Sequence, residues 1–256
     1  MNNKNNNLIN TILEKKLSVV IVSPHQDDAL LSCDALMDKL NGKVEITIVN
    51  VFTKAFKKPY TISAKQFLKA SGYTDASLLY KQREEEDKKA LSNFHCTVIN
   101  LGLEDALFRR VKKKSFLGKI IPEFDHIYPT YRWHVIKAVS KNDPAIDTLK
   151  KKLEHFKNKK NIIFAPYGIG NHADHKLVRN VCEELFTNIV LYSDFPYNVR
   201  SDDYGKPLPE TFLYELKPNI KQKDVLLNMY KTQFKGLFTG TEIPEHNEVY
   251  FVNNNI

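Results

Sequence analysis

The chain has 256 residues, of which 42% are hydrophobic and 27% charged. This composition is typical of globular proteins and excludes wholesale disorder, a fibrous architecture and a small disulfide-stabilised scaffold. Lys and Arg number 38 against 30 acidic residues, and the net charge of +8 makes the surface attractive to anions without identifying a partner. The three cysteines form no C-x-x-C pair, which indicates a reducing compartment.

The N-terminal residues and the hydropathy pattern indicate a cytoplasmic protein. Residues 2–7 are rich in Asn and have neither the basic head nor the apolar run of a signal peptide. We expect about residues 1–7 to form a disordered tail. No run approaches the ~18 consecutive apolar residues of a membrane span. The sequence therefore predicts neither secretion nor a membrane span, and it leaves the oligomeric state open.

The first elements of the chain predict a βαβ unit. An apolar run at 17–23 predicts a buried strand. Apolar residues at three- and four-residue intervals from Ala29 to Leu40 predict a helix that ends near Gly42. A second apolar run at 44–52 predicts the next strand. In such a unit the two strands lie parallel in one sheet.

The same alternation continues along the chain. It predicts a charged helix at 78–91, strands at 97–101, 161–166 and 189–192, and a helix whose apolar stripe lies between 177 and 186. A late helix is predicted at 222–234, with Val225, Leu226, Met229 and Tyr230 facing inward. This order of elements predicts an α/β fold with a Rossmann-like, mostly parallel sheet flanked by helices. We expect a single domain over residues 1–256.

About residues 110–160 fit this alternation least well, and we interpret them as an insertion. Basic clusters at 109–110, 112–114 and 150–152 alternate there with aromatic residues. Clusters of this kind form a solvated basic face in most proteins. Alternatively, the insertion borders a pocket and binds an anionic substrate such as a nucleotide sugar or a phosphorylated glycan.

The first chemically informative segment is the loop after the first predicted strand. It contains His25, Asp27 and Asp28, at the point where the first helix begins. In open α/β sheets, ligands bind beyond the carboxyl ends of the strands, where loops and helix N-termini meet. A helix N-cap explains one Asp but not both. One carboxylate can therefore bind a metal ion while the other faces a water molecule.

The second segment contains His172, Asp174 and His175 at another strand-to-helix junction. Because the two histidines are three residues apart, they share a face on a first helical turn. Taken alone, this spacing fits a metal site and a surface helix equally well. If the two loops converge, His25, Asp28 and His175 provide three ligands with one position left open, as in catalytic zinc sites.

These segments resemble the PIG-L (LmbE-like) family of zinc-dependent N-acetylglucosaminyl deacetylases, in its bacterial form. The family's His-Pro-Asp-Asp signature corresponds to His25, Gln26, Asp27 and Asp28. Gln26 replaces proline, which relaxes the backbone without removing a ligand. The His-x-Asp-His signature is complete at 172–175. Similar segments at 83–86, 101–105, 194–197 and 230–233 extend the resemblance over about residues 17–251, apart from 110–160.

The resemblance implies a metal ion and a general base. Zn²⁺, or another divalent cation, would be held by His25, Asp28 and His175. Asp27 would take the proton of the water that attacks an amide carbonyl and then return it to the leaving amine.

Three further residues receive roles from the resemblance. His172 would face the developing oxyanion as an imidazolium, and Asp174 would hydrogen-bond and orient it. Arg83 would contact a sugar hydroxyl or a phosphate. On a charged helix, however, Arg83 can equally form a solvated ion pair with Asp87 at i+4.

The expected function is metal-dependent hydrolysis of the N-acetyl group of an amino sugar or a related small-molecule N-acyl substrate, releasing acetate and a free amine. One alternative is a basic nucleic-acid-binding module, which only the net charge supports, and we expect no nucleic acid partner. Another is a different metal hydrolase, such as a phosphoesterase, although two-metal phosphoryl chemistry requires more bridging carboxylates. The first strand-to-helix turn also lacks the G-x-G-x-x-G of a nucleotide cofactor site.

Overall fold

The computed structural model describes residues 7–111, 115–201, 205–206, 208–233 and 243–256. A seven-stranded sheet lies at the centre of this part of the chain. Its strands are β1 (Ser18–Ser23), β2 (Ile46–Asn50), β3 (Thr97–Asn100), β4 (Asn161–Pro166), β5 (Ile189–Tyr192), β6 (Thr211–Leu216) and β7 (Glu248–Asn253).

Helices cover both faces of the sheet. They are α1 (Leu8–Glu14), α2 (Asp28–Leu40), α3 (Ile62–Ala70), α4 (Ala76–Leu91), α5 (Phe116–Ile120), α6 (Ala145–Leu153), α7 (Ala173–Leu185), α8 (Tyr197–Ser201) and α9 (Ile220–Leu227). Short helical turns lie at Ala106–Phe108, Pro122–Asp125, Tyr131–Val135, Glu154–Phe156 and Ile169–Asn171. Within the described ranges, each helix is too short or too polar to cross a membrane.

The strand order β3-β2-β1-β4-β5-β7-β6 brings the two informative segments together. Neighbouring strands from β3 to β5 are parallel, whereas β7 pairs antiparallel with both β5 and β6. The predicted α/β fold with a mostly parallel sheet is confirmed. Since β1 and β4 are neighbours, the loops that follow them open side by side at the point where the strand order reverses.

Burial on both faces explains the continuous apolar run of β1. Successive side chains of a strand point to opposite faces. Val19 and Ile21 join a core cluster with residues of α1, α2 and α9. Val20 and Val22 join a second cluster with residues of α6 and α7. A third cluster lies under α3 and α4 and includes residues from 106–108 and 128–135, so part of the predicted insertion belongs to the core.

Several elements of the structure were absent from the prediction. β4 and β5 cover the predicted residues, but the following were not predicted: α1, α3, α5, α6, α8, β6 and β7. The prediction for Val225 was wrong, because this side chain is 60% exposed while Leu226 and Tyr230 are buried. The late helix is also shorter, since α9 ends at Leu227, and Phe234 lies outside the described residues.

The predicted N-terminal tail lies outside the described residues except for Asn7. The Asn7 side chain accepts hydrogen bonds from the backbone N–H groups of Ile9 and Asn10 and so caps α1. Residues 112–114 of the basic cluster also lie outside the described part of the chain.

Candidate active site

A cavity of about 290 Å³ lies at the carboxyl end of β1. Five of the residues that the sequence analysis selected line it, namely His25, Asp27, Asp28, Arg83 and His172. The other two, Asp174 and His175, are fully buried and contact these walls. The structure therefore brings all the selected residues to one place.

His25, Asp28 and His175 form a compact group of candidate metal ligands. One ligand atom from each lies within 4.8 Å of the other two. Oδ2 of Asp28 is 3.1 Å from Nδ1 of His25 and 3.4 Å from Nε2 of His175. Two imidazoles and one carboxylate are ligands that Zn²⁺ accepts, so this donor set fits a divalent cation. A second group, formed by His25, His172 and Asp174, meets the same distance limit and shares His25.

The electrostatics of the group also favour a cation. Burial lowers the pKa of His25, but the Asp174 and Asp28 carboxylates outweigh burial and raise it well above the usual value. The pKa of His175 is raised in the same way by Asp28 and Asp194. Burial raises the pKa of Asp28, yet the two histidines bring it down to about 2. The carboxylates therefore stabilise positive charge here, and a divalent cation would displace the imidazole protons.

The second carboxylate, Asp27, is available for proton transfer. Its side chain makes no capping hydrogen bond to α2, and it faces the cavity. Burial and the neighbouring charge of Asp28 raise the pKa of Asp27 to about 6. The charges of Arg83 and His25 act in the opposite direction and limit this shift. A carboxyl group with such a pKa can both accept and donate a proton near neutral pH.

His172 differs from the expectation in its charge and in its hydrogen bond. Burial lowers the pKa of His172 to about 4, so the imidazole is neutral at pH 7 rather than an imidazolium. Its Nδ1 accepts a hydrogen bond of 3.2 Å from the backbone N–H of Asp174, not from the Asp174 carboxylate. Nε2 consequently carries the proton, and the ring can donate one hydrogen bond into the cavity.

The Asp174 carboxylate instead belongs to a buried ionic network. It pairs with Arg109, accepts a hydrogen bond of 2.9 Å from the N–H of Ala106, and lies 3.2 Å from Nε2 of His25. Arg109 also pairs with Asp143. Asp174 therefore orients His25 and connects it to Arg109.

The predicted solvated face is wrong for Arg109, which is only 2% exposed. Its guanidinium lies 4.4 Å from the centre of the Phe52 ring and contacts two buried carboxylates. This difference could not be predicted, because Arg109 and Arg110 are adjacent members of one basic cluster in the sequence. Arg110 is half-buried, donates to the carbonyls of Lys57 and Pro59, and stacks on Phe56.

Arg83 faces the cavity and does not form the alternative ion pair with Asp87. Asp87 accepts hydrogen bonds from Asn50 and Tyr230 instead. The Arg83 guanidinium lies 5.4 Å from the ring centres of Phe67 and of Tyr80. Its buried Nε has no hydrogen-bond partner among the residues that the structure describes.

Two site residues, Asp194 and Asp105, were not assigned a role from the sequence. Oδ1 of Asp194 lies 2.6 Å from Nδ1 of His175, and its Oδ2 accepts hydrogen bonds from the N–H groups of Gly168 and Ile169. Asp194 therefore leaves Nε2 of His175 free to face Asp28. Asp105 accepts a hydrogen bond from Tyr80 and lies 3.6 Å from Nε2 of His25. Both Asp194 and Asp105 follow a parallel strand, and this position was the sequence feature that could have identified them.

Comparison with known proteins identifies the family of the chain. The model of the PIG-L family, described as GlcNAc-PI de-N-acetylase, matches residues 20–186. The matched range contains the three candidate ligands, Asp27 and His172, whereas Asp194 lies beyond it. None of the curated proteins matches the chain in sequence.

Several solved structures share the fold. The zinc-inhibited form of a teicoplanin deacetylase is 19% identical with a TM-score of 0.69, and the alignment covers 91% of this chain and 97% of that one. A deacetylase–teicoplanin complex is 18% identical with a TM-score of 0.67, covering 92% and 97%. The deacetylase of the A40926 pseudoaglycone is 17% identical with a TM-score of 0.65, covering 93% and 97%. At these identities the likeness establishes a common fold.

Proposed function

The chain belongs to the PIG-L family, and from this premise we propose that it is a metal-dependent N-deacetylase. Its substrate would be an N-acetylated amino sugar or a related small-molecule N-acyl compound, and its products acetate and a free amine. The observation that carries the proposal is that His25, Asp28 and His175 come together beside a cavity that a second carboxylate, Asp27, also lines.

The ligand group and Asp27 would divide the chemistry between them. A divalent cation such as Zn²⁺, held by His25, Asp28 and His175, would polarise the amide carbonyl and lower the pKa of a water molecule. Asp27 accepts the proton of the attacking water as the new C–O bond forms. It then returns this proton to the amide nitrogen as the C–N bond breaks.

The remaining site residues orient these groups and the substrate. The N–H at Nε2 of His172 donates a hydrogen bond to the carbonyl oxygen as negative charge develops there. Asp194 and Asp174 hold the rings of His175 and His25. Removing any of these contacts is expected to lower turnover without removing the cavity.

The cavity wall away from the ligand group would bind the rest of the substrate. Arg83 lines this wall with Arg200 and Lys231, so three cationic side chains face the cavity. Their charge favours a substrate whose sugar carries an anionic group, such as a phosphate. Arg83 is the buried member and contacts either this group or a sugar hydroxyl.

The first experiment measures metal content and then acetate release. Elemental analysis of the purified protein is expected to give about one zinc per chain, and His175→Ala is expected to lose it. Acetate release from N-acetylated sugars then identifies a substrate. Asp27→Asn is expected to keep the metal and lower kcat by roughly 10²–10⁴-fold. Asp38→Asn is the matched control, because Asp38 is an exposed carboxylate on α2.

Three outcomes would overturn all or part of the proposal. A protein that binds no metal when zinc is supplied would exclude the proposed mechanism. Full activity in Asp27→Asn would remove Asp27 from the reaction. Release of phosphate rather than acetate from phosphorylated acetamido sugars would instead identify a phosphoesterase.

A further inference from the structure

Large apolar side chains lie on the outside of the molecule at the start of α3 and within the predicted insertion at about 110–160. We name this surface the apolar ridge and define it as Ile62, Phe116, Ile120, Ile121, Phe124 and Trp133. Phe116 is 76% exposed, Ile120 69% and Trp133 66%. Single exposed apolar residues are common, but a cluster of this size marks a surface that contacts another molecule.

Hydrogen bonds between three segments bring the members of the ridge together. The N–H of Ile62 donates to Oε1 of Glu123 at 2.8 Å, next to Phe124. The N–H of Tyr131 donates to Oγ of Ser63 at 3.3 Å, close in sequence to Trp133. The start of α3 therefore joins the segment around α5 to the turn that carries Trp133.

Polar contacts on the inner side of α5 fix the outward direction of its apolar side chains. Oδ1 of Asp125 accepts hydrogen bonds from the backbone N–H and the hydroxyl of Ser115, at 2.8 and 2.9 Å. Gly118 packs so tightly against Asp125 that a Cβ at this position would overlap the Asp125 carboxylate. An isolated five-residue helix is unstable in water. The contacts of Asp125 therefore hold α5 with Phe116 and Ile120 outward.

The charge around the ridge indicates what it contacts. Lys65, Lys119 and Arg132 are exposed basic residues on the same three segments. The Arg132 guanidinium lies 5.8 Å from the centre of the Trp133 ring. Tryptophan and phenylalanine beside exposed Lys and Arg are typical of surfaces that enter the headgroup region of anionic membranes.

We propose that the apolar ridge docks this protein reversibly on the surface of an anionic lipid bilayer. The apolar side chains enter the boundary between headgroups and acyl chains, while the basic residues contact the anionic headgroups. Tyr131 is 43% exposed and also lines the cavity, so it connects the ridge to the candidate active site. Docking thus holds the cavity next to the lipid headgroups. The proposal does not depend on the deacetylase activity.

Trp133 is the only tryptophan of the chain, so its fluorescence reports directly on the ridge. We expect vesicles of phosphatidylcholine with phosphatidylglycerol to shift its emission to shorter wavelength and to co-sediment the protein. Vesicles of phosphatidylcholine alone are expected to bind less, and added salt is expected to weaken the binding.

Matched double variants distinguish vesicle binding by the apolar ridge from vesicle binding by any exposed apolar side chain. Phe116→Ser with Ile120→Ser is expected to lower the partition coefficient roughly tenfold or more. Leu78→Ser with Val225→Ser removes two side chains that are each 60% exposed elsewhere and is expected to bind as the wild type. Circular dichroism establishes that both variants are folded.

Three results would overturn the proposal. The first is an unchanged Trp133 emission with every vesicle composition. The second is equal vesicle binding by the ridge variant and the wild type. The third is a dimer that forms without lipid and dissociates in the ridge variant, because the ridge would then be an interface between two copies of this chain.

Discussion

Replacing Arg109 by Met tests the buried ionic network behind the candidate active site. Arg109 pairs with Asp143 and Asp174, whose side chains are both 0% exposed, and is itself 2% exposed. Methionine has a similar length but no charge, so the variant leaves two buried carboxylates without their cation. Breaking a buried ion pair in this way costs about 3–5 kcal/mol. Unfolding free energies are about 5–15 kcal/mol, so the expected loss is a large fraction of the total.

Urea and thermal denaturation measure this loss. A change of about 3–5 kcal/mol corresponds to a decrease in Tm of about 6–20 °C for a chain of this size. Arg110→Met is the matched control, because Arg110 is half-buried and makes no ion pair among the described residues, and its expected cost is about 1 kcal/mol or less. Adding Asp143→Asn to Arg109→Met is expected to recover part of the loss, since it removes one of the unpaired charges.

The same contacts predict an effect of Arg109→Met on metal binding. Asp174 lies between Arg109 and His25, so the Arg109→Met protein is also expected to bind metal more weakly. An Arg109→Met protein within about 1 kcal/mol of the wild type would refute the reasoning. Such a result would mean that Asp143 and Asp174 are not held as charged groups away from water.

Two further predictions concern other parts of the molecule. Burial and the charge of Lys223 lower the pKa of His246 to about 4. Between pH 4 and about pH 6.5, the unfolded chain therefore binds more protons than the folded protein. The free energy of unfolding decreases as the pH falls through this range. His246→Phe keeps an aromatic ring stacked on Phe195. When the pH falls from 7 to 5, the free energy of unfolding of this variant is expected to decrease by about 2 kcal/mol less than that of the wild type. Arg83→Gln is expected to keep the metal but lower kcat/KM about 10–100-fold, mainly through KM.

Each of these has a control and a contradicting result. An equal pH slope in His246→Phe and the wild type would mean that His246 titrates normally in the folded protein. For Arg83, the matched control is Arg179→Gln, which changes an arginine paired with Glu183 on α7. Unchanged kcat/KM in a folded Arg83→Gln protein would show that Arg83 does not contact the substrate.

The parallel half of the fold could be predicted because its strands are buried on both faces. Such strands appear as continuous apolar runs, and β4 and β5 were placed residue for residue. β6 and β7 were missed because their pattern is less clear. β6 alternates between half-buried and exposed residues, including Leu213 at 45% exposure, and β7 is a short apolar run beside the Asn-rich residues 253–255. Val225 was misplaced because a helical period does not show which apolar residue faces the core.

The sequence could predict mainly those site residues that lie in the loop or helix start directly after a strand. His25, Asp28 and His175 stand directly after β1 and β4, and the order of the sheet brings those loops together. The burial of Arg109 could not be predicted, because it depends on Asp143 and Asp174, which are distant in sequence. The neutral state of His172 depends on burial, which a sequence motif does not report.

The position of β7 has a consequence for the order in which the chain can assemble. Among the strands that the structure describes, β7 comes last in the sequence, yet it lies inside the sheet between β5 and β6. The N–H of Ser193 donates to the carbonyl of Val249 at 2.8 Å, one residue before Asp194, which holds His175. During synthesis, β1 to β5 can pair early, but β5 keeps an open edge until residues 248–253 have emerged. The ligand geometry at His175 is therefore completed by the final strand to join the sheet, and a chain cut before residue 248 would have the metal-binding motifs without the support that orients them.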